Sequence, residues 1–242
     1  MDMDINIETG NKNKLSIPMA IIFAGVLIAG AVLYTGREGG DTGVAKQVVV
    51  PGDSALDQIR PVGEGDHIRG NPNAEVFVVE YSDTECPFCK QFHKTMKQVM
   101  EEYGDKGKVA WVYRHFPLDQ LHSKARKEAV ALECAGELGG NEAFWKYTDR
   151  LYEVTPANNG LDLAQLPVIA EFLGLDAQKF NVCLASNKYD KKIEDDVQNA
   201  TATGGRGTPW SIVVHKKGKK YPLSGAQPLT SVKQIIETAL KN

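Results

Sequence analysis

Two short apolar runs joined by one helical segment constrain this chain's fold more than any other feature. Val76-Phe77-Val78-Val79-Glu80-Tyr81 is β-branched and aromatic and of strand length. Behind it Cys89, Phe92, Met96, Val99 and Tyr103 recur at helical spacing as far as Gly104, a residue type that commonly ends helices. Val109-Ala110-Trp111-Val112-Tyr113 reads as a second strand, closed by Phe116-Pro117. Strand, helix, strand in that order implies a parallel crossover.

Residues 118–203 turn wholly helical, with apolar positions grouped around Leu121 to Leu138, Phe144 to Tyr152, Leu163 to Leu173, Phe180 to Leu184, and Tyr189 to Ala200. Asp176 is placed to cap the fourth group. Strand character returns in Trp210-Ser211-Ile212-Val213-Val214 and Tyr221-Pro222-Leu223-Ser224, and Val232, Ile235, Ile236 and Leu240 mark a final amphipathic helix. The pattern is an α/β domain in which a β-α-β unit and a β-β-α unit are split by an inserted all-helical subdomain. The Lys216-Lys217-Gly218-Lys219-Lys220 run between the last two strands reads as a solvated hairpin turn, and a net charge of -3 argues against a dedicated nucleic-acid binder.

The N-terminal part sets the compartment. Residues 15–34, LSIPMAIIFAGVLIAGAVLY, are 20 residues without a charge. As a helix they span roughly 30 Å, about the hydrocarbon thickness of a bilayer. Ala29-Gly30-Ala31 offers a signal-peptide cleavage site, but the apolar run continues through Val32, Leu33 and Tyr34, so a retained anchor is the better reading. Lys12 and Lys14 before it, against Arg37 and Lys46 after it, lean toward a cytoplasmic N-terminus. The expected organisation is a polar cytoplasmic tail over residues 1–14, a transmembrane helix over 15–35, a flexible linker over 36–65 and an exported domain over 66–242, held at the cell membrane. Outside the cytoplasm disulfides persist, which changes the prior for every cysteine downstream.

Cys86 and Cys89 stand in the segment TECPFCKQFH, directly after the first strand. A zinc site needs four ligands, usually in two close pairs; no second close pair exists here, and His93 joins no ligand motif. Placement favours redox chemistry. Pro87 falls where the first helical position belongs, so Cys86 faces the free amides of a helix N-terminus, which favour its thiolate. The helix dipole alone supplies at most ~2 kcal/mol; a larger effect requires direct hydrogen bonds from the amides of Phe88 and Cys89. Cys86 is therefore read as an exposed nucleophile and Cys89 as the enclosed resolving thiol. Glu80 interrupts the apolar strand on the same face as Val76 and Val78, and is read as a buried acid that handles protons beneath Cys89.

Together with Gly207-Thr208-Pro209 before a late strand, CPFC after VFVVEYSD resembles the thioredoxin superfamily, and more closely the exported DsbA-like thiol–disulfide oxidoreductases. The resemblance covers residues 66–242 and includes Arg114-His115-Phe116-Pro117-Leu118, the FWKYTDRLY segment and Phe180-Asn181-Val182-Cys183-Leu184. It implies a central mixed sheet flanked by helices. It also implies that Pro209 is cis and packs on the cysteine pair, and that Thr208 offers backbone groups to substrate. Two departures stand out. The Pro87-Phe88 dipeptide carries no histidine to support a thiolate, which leaves oxidising strength open, and Trp210 follows the proline where a smaller polar residue is usual, which could reshape the substrate groove.

Cys134 and Cys183 fall on apolar helix faces. They are either two buried free thiols or, in an oxidising compartment, one bond closing a loop of 50 residues. We read the bond, which would contribute roughly 4 kcal/mol before strain. The other histidines, His67, His115, His122 and His215, read as surface or packing residues, with His122 placed near Arg114.

The chain so read is a protein disulfide oxidoreductase, in the first instance a dithiol oxidase acting on exported proteins with cysteines. It needs no metal or organic cofactor beyond its own redox-active disulfide, and a membrane redox partner resets the pair. The alternatives are a reductase or isomerase using the same cysteines, and a non-catalytic thioredoxin-fold binding module.

Overall fold

A computed structural model describes residues 53–241. Its elements are α1 (Asp53–Leu56), β1 (His67–Gly70), β2 (Val76–Ser82), α2 (Pro87–Val99), β3 (Val109–His115), α3 (Ala125–Val154), α4 (Gln165–Phe172), α5 (Ala177–Ala185), α6 (Asp190–Ala202), β4 (Trp210–His215), β5 (Lys220–Ser224) and α7 (Leu229–Leu240). A π-helical turn, Met100–Gly104, prolongs α2. The expected cytoplasmic tail and transmembrane helix lie outside the described residues. Within those residues no helix is long and apolar enough to cross a membrane.

One five-stranded mixed sheet runs in the order β1-β3-β2-β4-β5. β2 and β3 are parallel, with Glu80 opposite Tyr113, and β2 pairs antiparallel with β4, with Glu80 opposite Ser211. The side-chain period of two then sorts residues to the two faces. Val76, Val78, Trp111, Tyr113 and Val213 pack with Cys89, Phe92 and the helical layer in the main core. Val79, Tyr81, Val112, Trp210 and Ile212 form a second core with Leu56 and Ala200 on the opposite face. By this alternation Glu80 falls on the face occupied by α2 and α3.

Two points differ from the sequence reading. The linker expected as far as residue 65 stops earlier. Leu56 is buried, and the Arg114 guanidinium, itself fully buried, draws in the carbonyls of Arg60 and Pro61 and the Asp66 carboxylate. A buried arginine needs that full set of acceptors, so residues 56–66 belong to the folded domain. β1 was not anticipated: HIRG lacks an apolar alternation because it is an edge strand, paired only with β3. The segments grouped around Cys134 and Trp145 are the two helices expected, meeting within α3 at a kink at Gly140, whose φ of 73° and ψ of -170° are open to glycine. Asp176 does cap α5, its side chain accepting from the Lys179 amide.

Candidate active site

The loop between β2 and α2 is tied down from several sides. Asp83 is its anchor: one carboxylate oxygen accepts from the Glu85 amide, the other from the Leu118 amide and from His122 Nδ1 at 2.9 Å. His122 is thus a partner of Asp83, and is nowhere bonded to Arg114. Burial pushes the Asp83 carboxyl up against these stabilising contacts. The Glu85 carbonyl accepts from the Asn158 amide, attaching the loop to the chain beyond α3.

Pro87 occupies the first turn of α2 and Cys86 is its N-cap, with extended φ and ψ of -79° and 121°. Proline costs nothing at that position because the amide it lacks has no helical acceptor. Cys86 is only 4% exposed, so it is not the open nucleophile the sequence suggested; Phe88, at 61%, is what the loop presents to solvent. Thr208-Pro209 is a cis peptide, and the Thr208 carbonyl lies 3.4 Å from Cys86 Sγ. The resemblance implied this juxtaposition of Cys86, Thr208 and Pro209. Trp210 takes no part in it: its indole donates to Thr203 Oγ1 at 3.0 Å in the second core, because β4 alternation turns it to the far face.

The two thiols are electrostatically unlike. Cys86 is held down to about 6, first by a hydrogen bond from the Cys89 thiol and further by Thr208 and the amides of Cys89 and Phe88. The largest contribution is therefore the neighbouring thiol, with the helix amides secondary. Cys89 is fully buried and pushed far above the ordinary thiol range by burial and by the adjoining Cys86 thiolate. Its sulfur accepts from the Asp83 amide at 3.4 Å.

Glu80 lies beneath this pair, 1% exposed. Ser82 Oγ donates to Glu80 Oε1 at 2.6 Å and Trp111 Nε1 donates to Oε2 at 2.9 Å. Burial outweighs both donors and pushes the carboxyl up to about 7. Around it stand Tyr113 and Tyr152, whose hydroxyls burial holds well above the ordinary phenol range.

Other charged side chains escaped sequence reasoning. Glu85 and Glu128 are both fully buried against each other, and Glu128 is pushed up to about 9 by burial and by Glu85. Glu128 falls on the helix face of Ala125 and Leu132, the one signal that could have found it. The histidines largely serve as hydrogen-bond partners of carboxylates: His93 with Asp149 at 2.7 Å, and His67 and His115 with Glu133, which Lys192 also reaches. Cys134 and Cys183 are bonded, with Cα atoms 5.8 Å apart, and join α3 to α5 in the helical layer. Among the described residues no three His, Cys, Asp or Glu side chains form a group that could hold a metal ion.

The described residues thus combine a five-stranded thioredoxin fold, a CxxC pair at a helix N-terminus and a cis-proline against it. The chain belongs to the thioredoxin family, whose model, described simply as Thioredoxin, matches residues 63–237, and within that superfamily it is a DsbA-like oxidoreductase. It superposes on Pseudomonas aeruginosa DsbA2 with a TM-score of 0.64 at 28% identity, covering 75% of this chain and 98% of that one. For Wolbachia pipientis alpha-DsbA1 the TM-score is 0.65 at 25% identity, over 77% and 95% of the two chains. In sequence it is 33% identical over 179 residues to the Na(+)/H(+) antiporter NhaA 1 of Mycolicibacterium gilvum, a match covering 73% of this chain. This chain spans only 28% of that relative's length.

Proposed function

We propose that this chain is a membrane-tethered, extracytoplasmic dithiol oxidase that introduces disulfides into exported proteins. The observation that carries the reading is the asymmetry of the pair: a Cys86 held near 6 beside a Cys89 held far above it. A stabilised thiolate favours the reduced pair and makes the disulfide a better oxidant. A substrate thiolate attacks Cys86 Sγ of the oxidised pair, the Cys86–Cys89 bond breaks, and Cys89 leaves with two electrons and takes up a proton. A second substrate thiolate attacks the first substrate sulfur in the mixed disulfide, forms the substrate disulfide and releases Cys86 as a thiolate. The substrate has then lost two electrons and the pair has gained them. A membrane partner that accepts two electrons restores the disulfide.

In this reading Glu80 supplies the proton to Cys89, and Thr208 and Pro209 hold the substrate strand against Cys86. Pro87 shapes the helix start, while Phe88 offers an apolar contact to the incoming polypeptide. The charge-free run over residues 15–34 supports a place at the membrane, as does the likeness to a domain carried by a protein named as an antiporter. The Cys134–Cys183 bond supports an oxidising compartment.

The test is oxidation of a reduced, unfolded cysteine protein by the purified oxidised chain, compared with Cys86→Ala. Wild type should transfer its disulfide and Cys86→Ala should transfer none. A wild type that transfers none would leave only a binding module, and undiminished transfer by the variant would overturn the role of Cys86.

A further inference from the structure

Resting on Glu80 as the proton donor to Cys89, the geometry points to a specific carrier between them: we propose that the Ser82 hydroxyl relays the proton between Glu80 and Cys89, with Tyr152 holding that hydroxyl in position. Among the described residues Glu80 has two side-chain partners, Ser82 and Trp111. An indole N–H donates only and cannot pass a proton on, whereas a serine hydroxyl both donates and accepts. Cys89 Sγ accepts from the amide of Asp83, the residue next to Ser82, which cannot relay either, and the Ser82 hydroxyl favours its thiolate. Among the described residues Ser82 is thus the hydroxyl that donates to Glu80 and also favours the Cys89 thiolate. It is 1% exposed, so bulk water does not replace it readily.

Tyr152 OH lies 2.9 Å from Ser82 Oγ and also donates to the Asp83 carbonyl, while its ring forms part of the wall of a cavity of about 450 Å³ beside His93 and Lys90. It touches neither thiol nor Glu80 by hydrogen bond, so it is a positioning residue. The titratable groups facing Glu80 are Cys86 and Cys89 from α2, Tyr113 from β3 and Tyr152 from α3.

The step balances as follows. As the Cys86–Cys89 bond breaks, Cys89 leaves as a thiolate holding the electron pair. Ser82 Oγ–H gives its proton to Cys89 Sγ and takes the proton of the Glu80 carboxylic acid. The result is a Cys89 thiol, an intact Ser82 hydroxyl and a Glu80 carboxylate. Reoxidation runs the same transfer backwards.

The experiment is stopped-flow reduction of the oxidised chain by dithiothreitol across pH 5 to 9, roughly the range that brackets the Glu80 titration, with rates corrected for the reductant's thiolate fraction. In wild type the corrected rate should fall as pH rises through about 7, where Glu80 ionises, and should slow in deuterium oxide. Ser82→Ala should be about 100-fold slower, with neither inflection nor isotope effect although Glu80 remains; this is the lower end of what general acid catalysis contributes. Ser82→Thr should restore both. Tyr152→Phe should lose less rate and keep the inflection.

A Ser82→Ala variant that is fast, or slow but with inflection and isotope effect intact, would overturn the relay, the second result exposing a mere packing defect. Glu80→Gln and Cys86→Ala separate the levels. If Glu80→Gln keeps the inflection, the acid is misassigned and the relay falls with it. If Cys86→Ala still oxidises protein, the enzymatic reading itself fails. If both behave as required and only Ser82→Ala resembles wild type, the relay alone is wrong.

Discussion

Cys86 and Cys89 sit one helical turn apart and differ because their surroundings differ. Cys86 faces donors, among them its own partner thiol, while Cys89 faces the main core and a nearby carboxyl. Alkylation of the reduced chain should modify Cys86 alone. Its rate should be full above pH 7 and fall as pH drops through about 6, the value to which the thiol is held down. Equal labelling of both cysteines would contradict the asymmetry. Glu80 yields a stability prediction. Its native carboxyl at about 7 lies above the 4.5 of an unperturbed glutamate. The native state therefore binds that proton more tightly than the unfolded chain, and stability drains away as pH rises from 4.5 to about 7. Glu80→Gln should remove a loss on the order of 3 kcal/mol over that window, read from the wild-type minus variant difference in urea unfolding. The difference isolates Glu80 from Glu128, which shifts the same way up to about 9. At this scale Cys86, Cys89 and Glu80 could be read from the sequence, because a CxxC and an acid in an apolar strand are local signals. The bond from Asp83 to His122 could not, since those residues meet only after β3 and the chain beyond it have folded back.

The elements show the same division. β2, β3 and β4 announce themselves because buried strands must be continuous apolar runs, and the helix after CPFC because its core face repeats. β1 is silent, being a four-residue edge strand with one sheet neighbour. Gly140 is a more telling case. Local spacing suggested two helices, and the structure keeps them as two, meeting at a glycine at φ 73° with open space where a Cβ would stand. Gly140→Ala should then cost about 1–3 kcal/mol from backbone conformation alone, with no steric clash to relieve. Denaturant unfolding with unchanged m-value would check it. A neutral or stabilising result would mean that α3 straightens through this point.

The described domain sets Cys86 and Cys89 at the start of α2 on one face of a five-stranded sheet, with a second core on the other face and a helical block stapled by Cys134–Cys183. That bond spans 49 residues of sequence. In the chain-entropy account its removal should cost roughly 4 kcal/mol, so a double Cys134→Ala, Cys183→Ala variant should unfold at markedly lower denaturant while Cys86 remains reactive. Sequence alone left bonded and free thiols both open, because two isolated cysteines say nothing of their separation until α3 and α5 are packed together. The direction of electron flow is the same kind of global property, set by how far the folded protein favours one oxidation state of the Cys86–Cys89 pair. Equilibration of the purified chain with reduced and oxidised glutathione measures it directly. An oxidase requires a pair that glutathione reduces readily, with a potential well above about -200 mV. A potential at or below about -270 mV, in the range of a thioredoxin reductant, would contradict the assignment.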